Sequence, residues 1–180
     1  MTVDAVHEPF RTQLTVRLRA GDTLLGVPLP GPCTFTSGNG VDILWMGPDE
    51  FLVLAEPGRQ AELEAALSGE CDAVVDVSAQ RNVYRLSGSH DPRDNCPNDV
   101  AFNCLKDVAV KRRELAADVL AHGCSIDLEA LPPGSCVQTL LARTGIVLMV
   151  REDGYTILVR QSFSDYFTAW LADASLEYVS

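Results

Sequence analysis

The sequence predicts an α+β protein made of antiparallel hairpins with helices laid on one face of each sheet, in two similar ββα-containing lobes. Two observations carry that expectation. The stretch Cys136–Ser180 reads as strand, strand, strand, helix: apolar runs at Val137–Ala142, Ile146–Val150 and Tyr155–Val159, then an amphipathic segment from Ser162. The same pattern occurs 104 residues earlier, where Leu44, Trp45, Phe51, Val53, Leu54, Leu63 and Leu67 fall on Leu148, Met149, Tyr155, Ile157, Leu158, Phe167 and Leu171. Turn length, helix start and helix face agree between the copies, which is the pattern of an internal repeat.

Taken in order, Met1–Pro9 reads as a flexible arm with acidic residues and Pro9. Gln13–Arg19 alternates Leu14, Val16 and Leu18 with polar residues, as a half-buried strand does. Gly26–Gly40 is dense in Gly and Pro and reads as an irregular crossing segment. Val41 to about Leu67 is the first ββα unit, stopped by Ser68-Gly69. Ala73–Ser78 and Asn82–Leu86 are further strands, ended by Ser87-Gly88. Ser89–Val110, with Pro92 and Pro97, shows little periodicity and reads as an insertion loop. A helix is expected over about Lys111–Ala121, ending at His122-Gly123. In the closing unit, Asp153-Gly154 signals a two-residue primed turn. Ser162 with Asp165 resembles a capping box, and Phe163, Phe167, Trp170, Leu171 and Ala174 supply the helix's apolar face. No boundary has linker composition, so the expectation is one domain over 1–180 of two fused lobes. The first lobe covers about 12–70 plus later strands, the second about 72–180.

At 180 residues the chain is long enough to bury a core without covalent staples. A net charge of −11 is unsuited to phosphate backbones or anionic membranes. No apolar run has the length of a signal core or a membrane span, and the six cysteines form no C-x-x-C pair. Reduced thiols in a cytoplasmic protein are the corresponding expectation.

The candidate chemistries are weak. His122-Gly123-Cys124 could pair an imidazole with a thiolate, yet it follows a helix C-terminus, where the dipole opposes an anion. His122 reads more simply as a cap. His90, Cys96 and Cys104 match no zinc spacing. Ser87-Gly88-Ser89 has no evident triad partners, and Gly38-Asn39-Gly40 and Pro133-Gly134-Ser135 are turns without the Lys and helix context of a phosphate cradle. The sequence therefore points to no catalytic, cofactor-binding or metal-binding residue.

Three stretches together resemble a known family. They are Asp76-Val77-Ser78 with Leu86-Ser87-Gly88; Val119–Leu128 (VLAHGCSIDL) followed by Pro133–Leu141 (PGSCVQTLL); and Tyr155–Tyr166 (YTILVRQSFSDY) with Trp170-Leu171. This pattern is similar to the gamma subunit of heterotetrameric sarcosine oxidase, in the folate-binding aminomethyltransferase-like superfamily. The resemblance implies a folate-binding-like fold and a place in a four-subunit flavoenzyme that oxidises the N-methyl group of sarcosine. It implies alpha, beta and delta partner subunits, with FAD, FMN, NAD and tetrahydrofolate held outside this chain. In folate-active members, the strand after the glycine matching Gly145 carries an acidic residue. Here that strand is Ile146-Val147-Leu148-Met149-Val150, with no group able to move a proton. The resemblance thus implies a structural, non-catalytic subunit. A folate-binding module is the alternative, and Glu50, Glu152 and Tyr155 are its candidate residues.

Overall fold

The computed structural model describes residues 2–18, 21–89 and 101–178. Among the described residues, two five-stranded sheets and three α-helices make up the frame. The first sheet contains β2 (Thr12–Arg17), β5 (Phe35–Gly38), β6 (Val41–Gly47), β7 (Glu50–Ala55) and β8 (Ala73–Asp76) in the order β5-β6-β7-β2-β8. The second contains β1 (Thr2–Glu8), β9 (Arg81–Ser89), β10 (Cys136–Leu141), β11 (Thr144–Val150) and β12 (Tyr155–Arg160) in the order β1-β9-β12-β11-β10. All pairings are antiparallel. A two-stranded ribbon, β3 (Thr23–Leu24) and β4 (Val27–Pro28), stands beside the first sheet.

Strand alternation sorts the side chains into three apolar layers. Leu14, Val16, Ile43, Phe51 and Val53 leave the outer face of the first sheet and bury against Leu63 and Leu67 of α1 (Gln60–Leu67). Leu86, Leu148, Ile157 and Val159 leave the outer face of the second sheet. They bury against Ala116, Val119 and Leu120 of α2 (Ala101–Ala121) and Phe167 and Leu171 of α3 (Ser164–Ala174). The inner faces meet each other: Leu44, Leu52 and Leu54 pack on Val83, Val147, Met149 and Leu158. The layers run helix, sheet, sheet, helix.

Several local expectations are corrected by long-range pairing. Met1–Pro9 is not a flexible arm, because residues 2–8 form β1, in register with β9 from Thr2↔Ser89 to Glu8↔Val83. The Gly- and Pro-rich stretch is ordered by primed turns. Leu25-Gly26 (φ 53° and 73°) joins β3 to β4, and Asn39-Gly40 (φ 51° and 74°) joins β5 to β6. Residues 101–110 of the expected insertion loop belong to α2, and 90–100 lie outside the described residues.

The closing unit differs in detail too. The β11–β12 turn is centred on Glu152-Asp153, with the Arg151 N–H donating to the Gly154 carbonyl at 2.8 Å. Neither Asp153 nor Gly154 takes a left-handed backbone. Gly154 is required instead by proximity, since a Cβ there would lie 2.1 Å from the Leu86 carbonyl oxygen. The capping box does not form. Ser162 sits inside a 3₁₀ turn, Gln161–Phe163, and α3 starts after Phe163 with no side-chain cap bond. Ser164 is held laterally, accepting a hydrogen bond from Asn82 Nδ2 at 2.6 Å.

Candidate functional site

The space between the two sheets is where groups from both halves of the chain could converge. β6 and β7 present Leu44, Leu52 and Leu54 from one side, β11 and β12 present Val147, Met149 and Leu158 from the other, and all six are buried. One ion pair lies in the same layer. Arg151 Nη2 contacts Asp42 Oδ2 at 2.5 Å and Nη1 lies 3.3 Å from Oδ1. Arg151 also donates through Nε to Thr156 Oγ1 at 3.2 Å, and its guanidinium lies 4.6 Å from the centre of the Phe35 ring. The Asp42 carboxylate is thus committed to a cation within the protein. This pair joins residues 109 positions apart, and the sequence alone gives no signal linking them.

The residues considered for folate are not brought together. Glu50 accepts from Arg17 Nη2 at 2.8 Å at the edge of the first sheet, and Glu152 is exposed in the β11–β12 turn. Tyr155 is 1% exposed in the layer facing the helices, on the opposite side of its sheet from the inter-sheet space. Burial pushes its hydroxyl from its ordinary 10.0 up to about 12.

Cys124 is half-buried just past α2 and bridges Leu141. His122 turns away to Tyr178, with Nε2 3.1 Å from its hydroxyl. Gly123 between them is tightly enclosed, since a Cβ there would lie 2.6 Å from Trp170 Cζ2. Cys136 is buried in the inter-sheet layer, and desolvation raises its thiol from 9.0 to about 12, so it holds its proton. Ser87 lies within β9, and Gly88 beside it lets α2 approach, because a Cβ there would stand 2.9 Å from the Arg112 carbonyl oxygen. Of the proposed metal trio, His90 and Cys96 lie outside the described residues, as does the side chain of Cys104. Among the described residues no group of three His, Cys, Asp or Glu is placed to hold a metal ion.

Among the described residues, two surface clefts lie on the second sheet. One, of about 490 Å³, is lined by Arg81, Arg160, Gln138, Leu140 and Ser125 among others. The other, of about 670 Å³, is lined by Arg143, His122, Tyr166, Trp170 and Ser125 among others. Arg81 and Arg160 are cross-strand partners, and the Arg81 guanidinium is shifted below its ordinary value, first by burial and then by Arg160. The sequence reading missed these arginines. Once the β9–β12 register is known, both residues fall on the strand face shared with Val83 and Leu158.

Residues 104–177 match the model of the family described as "Sarcosine oxidase, gamma subunit family". The chain is 33% identical over 190 aligned residues to sarcosine oxidase subunit gamma of Corynebacterium sp. (strain P-1), spanning 99% of this chain and 83% of that protein. It is 34% identical over 188 residues to the Arthrobacter sp. subunit gamma, spanning 95% and 79%. Among solved structures it is similar to a chain of the heterotetrameric sarcosine oxidase from Corynebacterium sp. U-96 in complex with pyrrole 2-carboxylate. That likeness has TM-score 0.75 and 30% identity, covering 99% of this chain and 86% of that one. It also shares its fold with the glycine cleavage system aminomethyltransferase T from Bartonella henselae, at TM-score 0.54 and 13% identity. The chain spans 45% of that protein.

Proposed function

The chain belongs to the sarcosine oxidase gamma subunit family, and from that premise we propose that it serves as the structural, non-catalytic subunit of a heterotetrameric sarcosine oxidase. The assembly would oxidise the N-methyl carbon of sarcosine to leave glycine, with the one-carbon unit captured by tetrahydrofolate or released as formaldehyde. FAD, FMN, NAD and tetrahydrofolate would sit on the larger alpha and beta subunits, with delta as the remaining partner, in the cytoplasm. The single observation that supports this reading is the filled inter-sheet layer. Where a folate-handling relative of this fold carries an acidic group, β11 here contributes Val147 and Met149 to a buried apolar contact. The two sheets, each followed by its own helix after a ββ hairpin, are read as the two lobes of a duplicated frame.

A structural subunit acts by burying area against its partners, at about 25 cal/mol per Å² of apolar surface removed from water. The test is co-expression with the other three subunits. A flavin-containing complex that includes this chain, together with an isolated chain that carries no chromophore and turns over no sarcosine, is the expected result. Turnover by the isolated chain would defeat the proposal. Tetrahydrofolate binding by the isolated chain, read by calorimetry, would favour the folate-module alternative instead.

A further inference from the structure

The two clefts described above differ from the rest of this acidic chain in charge. The sequence carries 25 Asp and Glu against 14 Lys and Arg. Yet among the described residues the two clefts are lined by three arginines and by no carboxylate. They meet at Ser125, so they form one continuous face along the β10–β11 end of the second sheet.

The cations there are held without neutralisation. Arg81 and Arg160 stand directly opposite across the β9–β12 pair, an arrangement in which like charges repel. Arg81 donates to the neutral Gln80 side chain at 2.5 Å. Glu50, the carboxylate that acts on Arg81 from the other sheet, is already engaged by Arg17. Arg143 and Arg160 are exposed, and neither side chain has an ion-pair or hydrogen-bond partner among the described residues.

Apolar groups are interleaved with these cations. Leu140, which lines the first cleft, is 62% exposed on β10, the edge strand of its sheet, and Tyr166, which lines the second, is exposed on the first turn of α3. An open, cationic and partly apolar strip beside a strand edge matches a polypeptide segment bearing carboxylates and apolar side chains.

We propose that this face docks an acidic, apolar-flanked segment of another subunit of the complex, with Arg81, Arg143 and Arg160 receiving its carboxylates and Leu140 and Tyr166 its apolar side chains. The inference rests on the reading of the chain as an assembly subunit.

The test uses the full complex, co-expressed with an affinity tag on a different subunit, and measures how much of this chain is retained as salt is raised. Wild-type chain is retained at low salt and lost progressively at high salt. The Arg143→Glu/Arg160→Glu variant is retained at least ~10-fold less, and the neutralising Arg143→Gln/Arg160→Gln variant falls between. Both arginines are exposed, so thermal melts of the isolated variants match the wild type. Lys111→Glu, an exposed reversal outside the face, is retained like the wild type. Loss of the wild-type chain from the complex at every salt overturns the assembly reading and this inference with it. A wild-type complex that keeps the double Glu variant, or that loses Lys111→Glu equally, overturns the inference alone. So does binding of tetrahydrofolate to the isolated chain that the double Glu variant abolishes, because the occupant would then be a small carboxylate.

Discussion

Arg151, at the start of the β11–β12 turn, reaches across the sandwich to Asp42 in β6 and makes the one ion pair that ties the inner faces of the two sheets among the described residues. Both side chains are mostly covered, so neither charge is well solvated if its partner is removed.

The first prediction follows from that pairing. Asp42→Ala leaves a covered guanidinium unpaired and costs about 2 kcal/mol in urea unfolding, less than a fully buried pair because water still reaches Arg151. Asp42→Leu/Arg151→Met, which removes both charges and keeps volume, recovers most of that loss. Equal destabilisation by the single and the double variant would show that the charges are not coupled.

Filling of the inter-sheet layer is tested at Leu158, which is buried between Met149 and the strands of the other sheet. Leu158→Ala lowers stability by about 3 kcal/mol through lost burial and a residual cavity. Met149→Glu, which puts a carboxylate at a fully buried position of β11, lowers stability sharply, because the nearest cation, Arg151, whose Nη2 lies 3.9 Å from the Met149 sulfur, is already paired with Asp42. A folded, stable Met149→Glu chain at neutral pH would count against a closed layer.

Two glycines that look alike in sequence respond in opposite ways. Gly154→Ala drives a methyl into the Leu86 carbonyl, 2.1 Å from the ideal Cβ, and costs about 3 kcal/mol. Gly69, with nothing within 4 Å, accepts Ala with little change. Differential scanning calorimetry of the two variants separates them.

Alkaline pH weakens the fold through two buried groups. The Cys136 thiol and the Tyr155 hydroxyl are both raised to about 12 in the folded chain, from ordinary values of 9.0 and 10.0. A raised folded value means the stabilising difference is complete below the unfolded value and is lost as pH climbs from about 9 towards 12. Each group then contributes a slope of up to about 1.4 kcal/mol per pH unit. Urea midpoints fall from pH 9 upward, and Cys136→Val with Tyr155→Phe flattens the decline. Iodoacetamide labels the exposed Cys33 in the native chain, whereas Cys136 is labelled only on unfolding.

The strands β2, β7, β11 and β12 and the face of α3 were readable in the sequence because a period of two or of 3.6 is written into neighbouring residues. The absence of a carboxylate from β11 was readable for the same reason, being a property of five consecutive residues. Tertiary structure alone decided that residues 2–8 are a strand, because their hydrogen-bond partners lie some eighty positions away in β9. It decided that Gly154 answers to a carbonyl on a neighbouring strand, that Asp42 meets Arg151, and that Arg81 stands opposite Arg160. Each of these depends on register between distant segments, and register is set by which apolar faces close on one another in three dimensions.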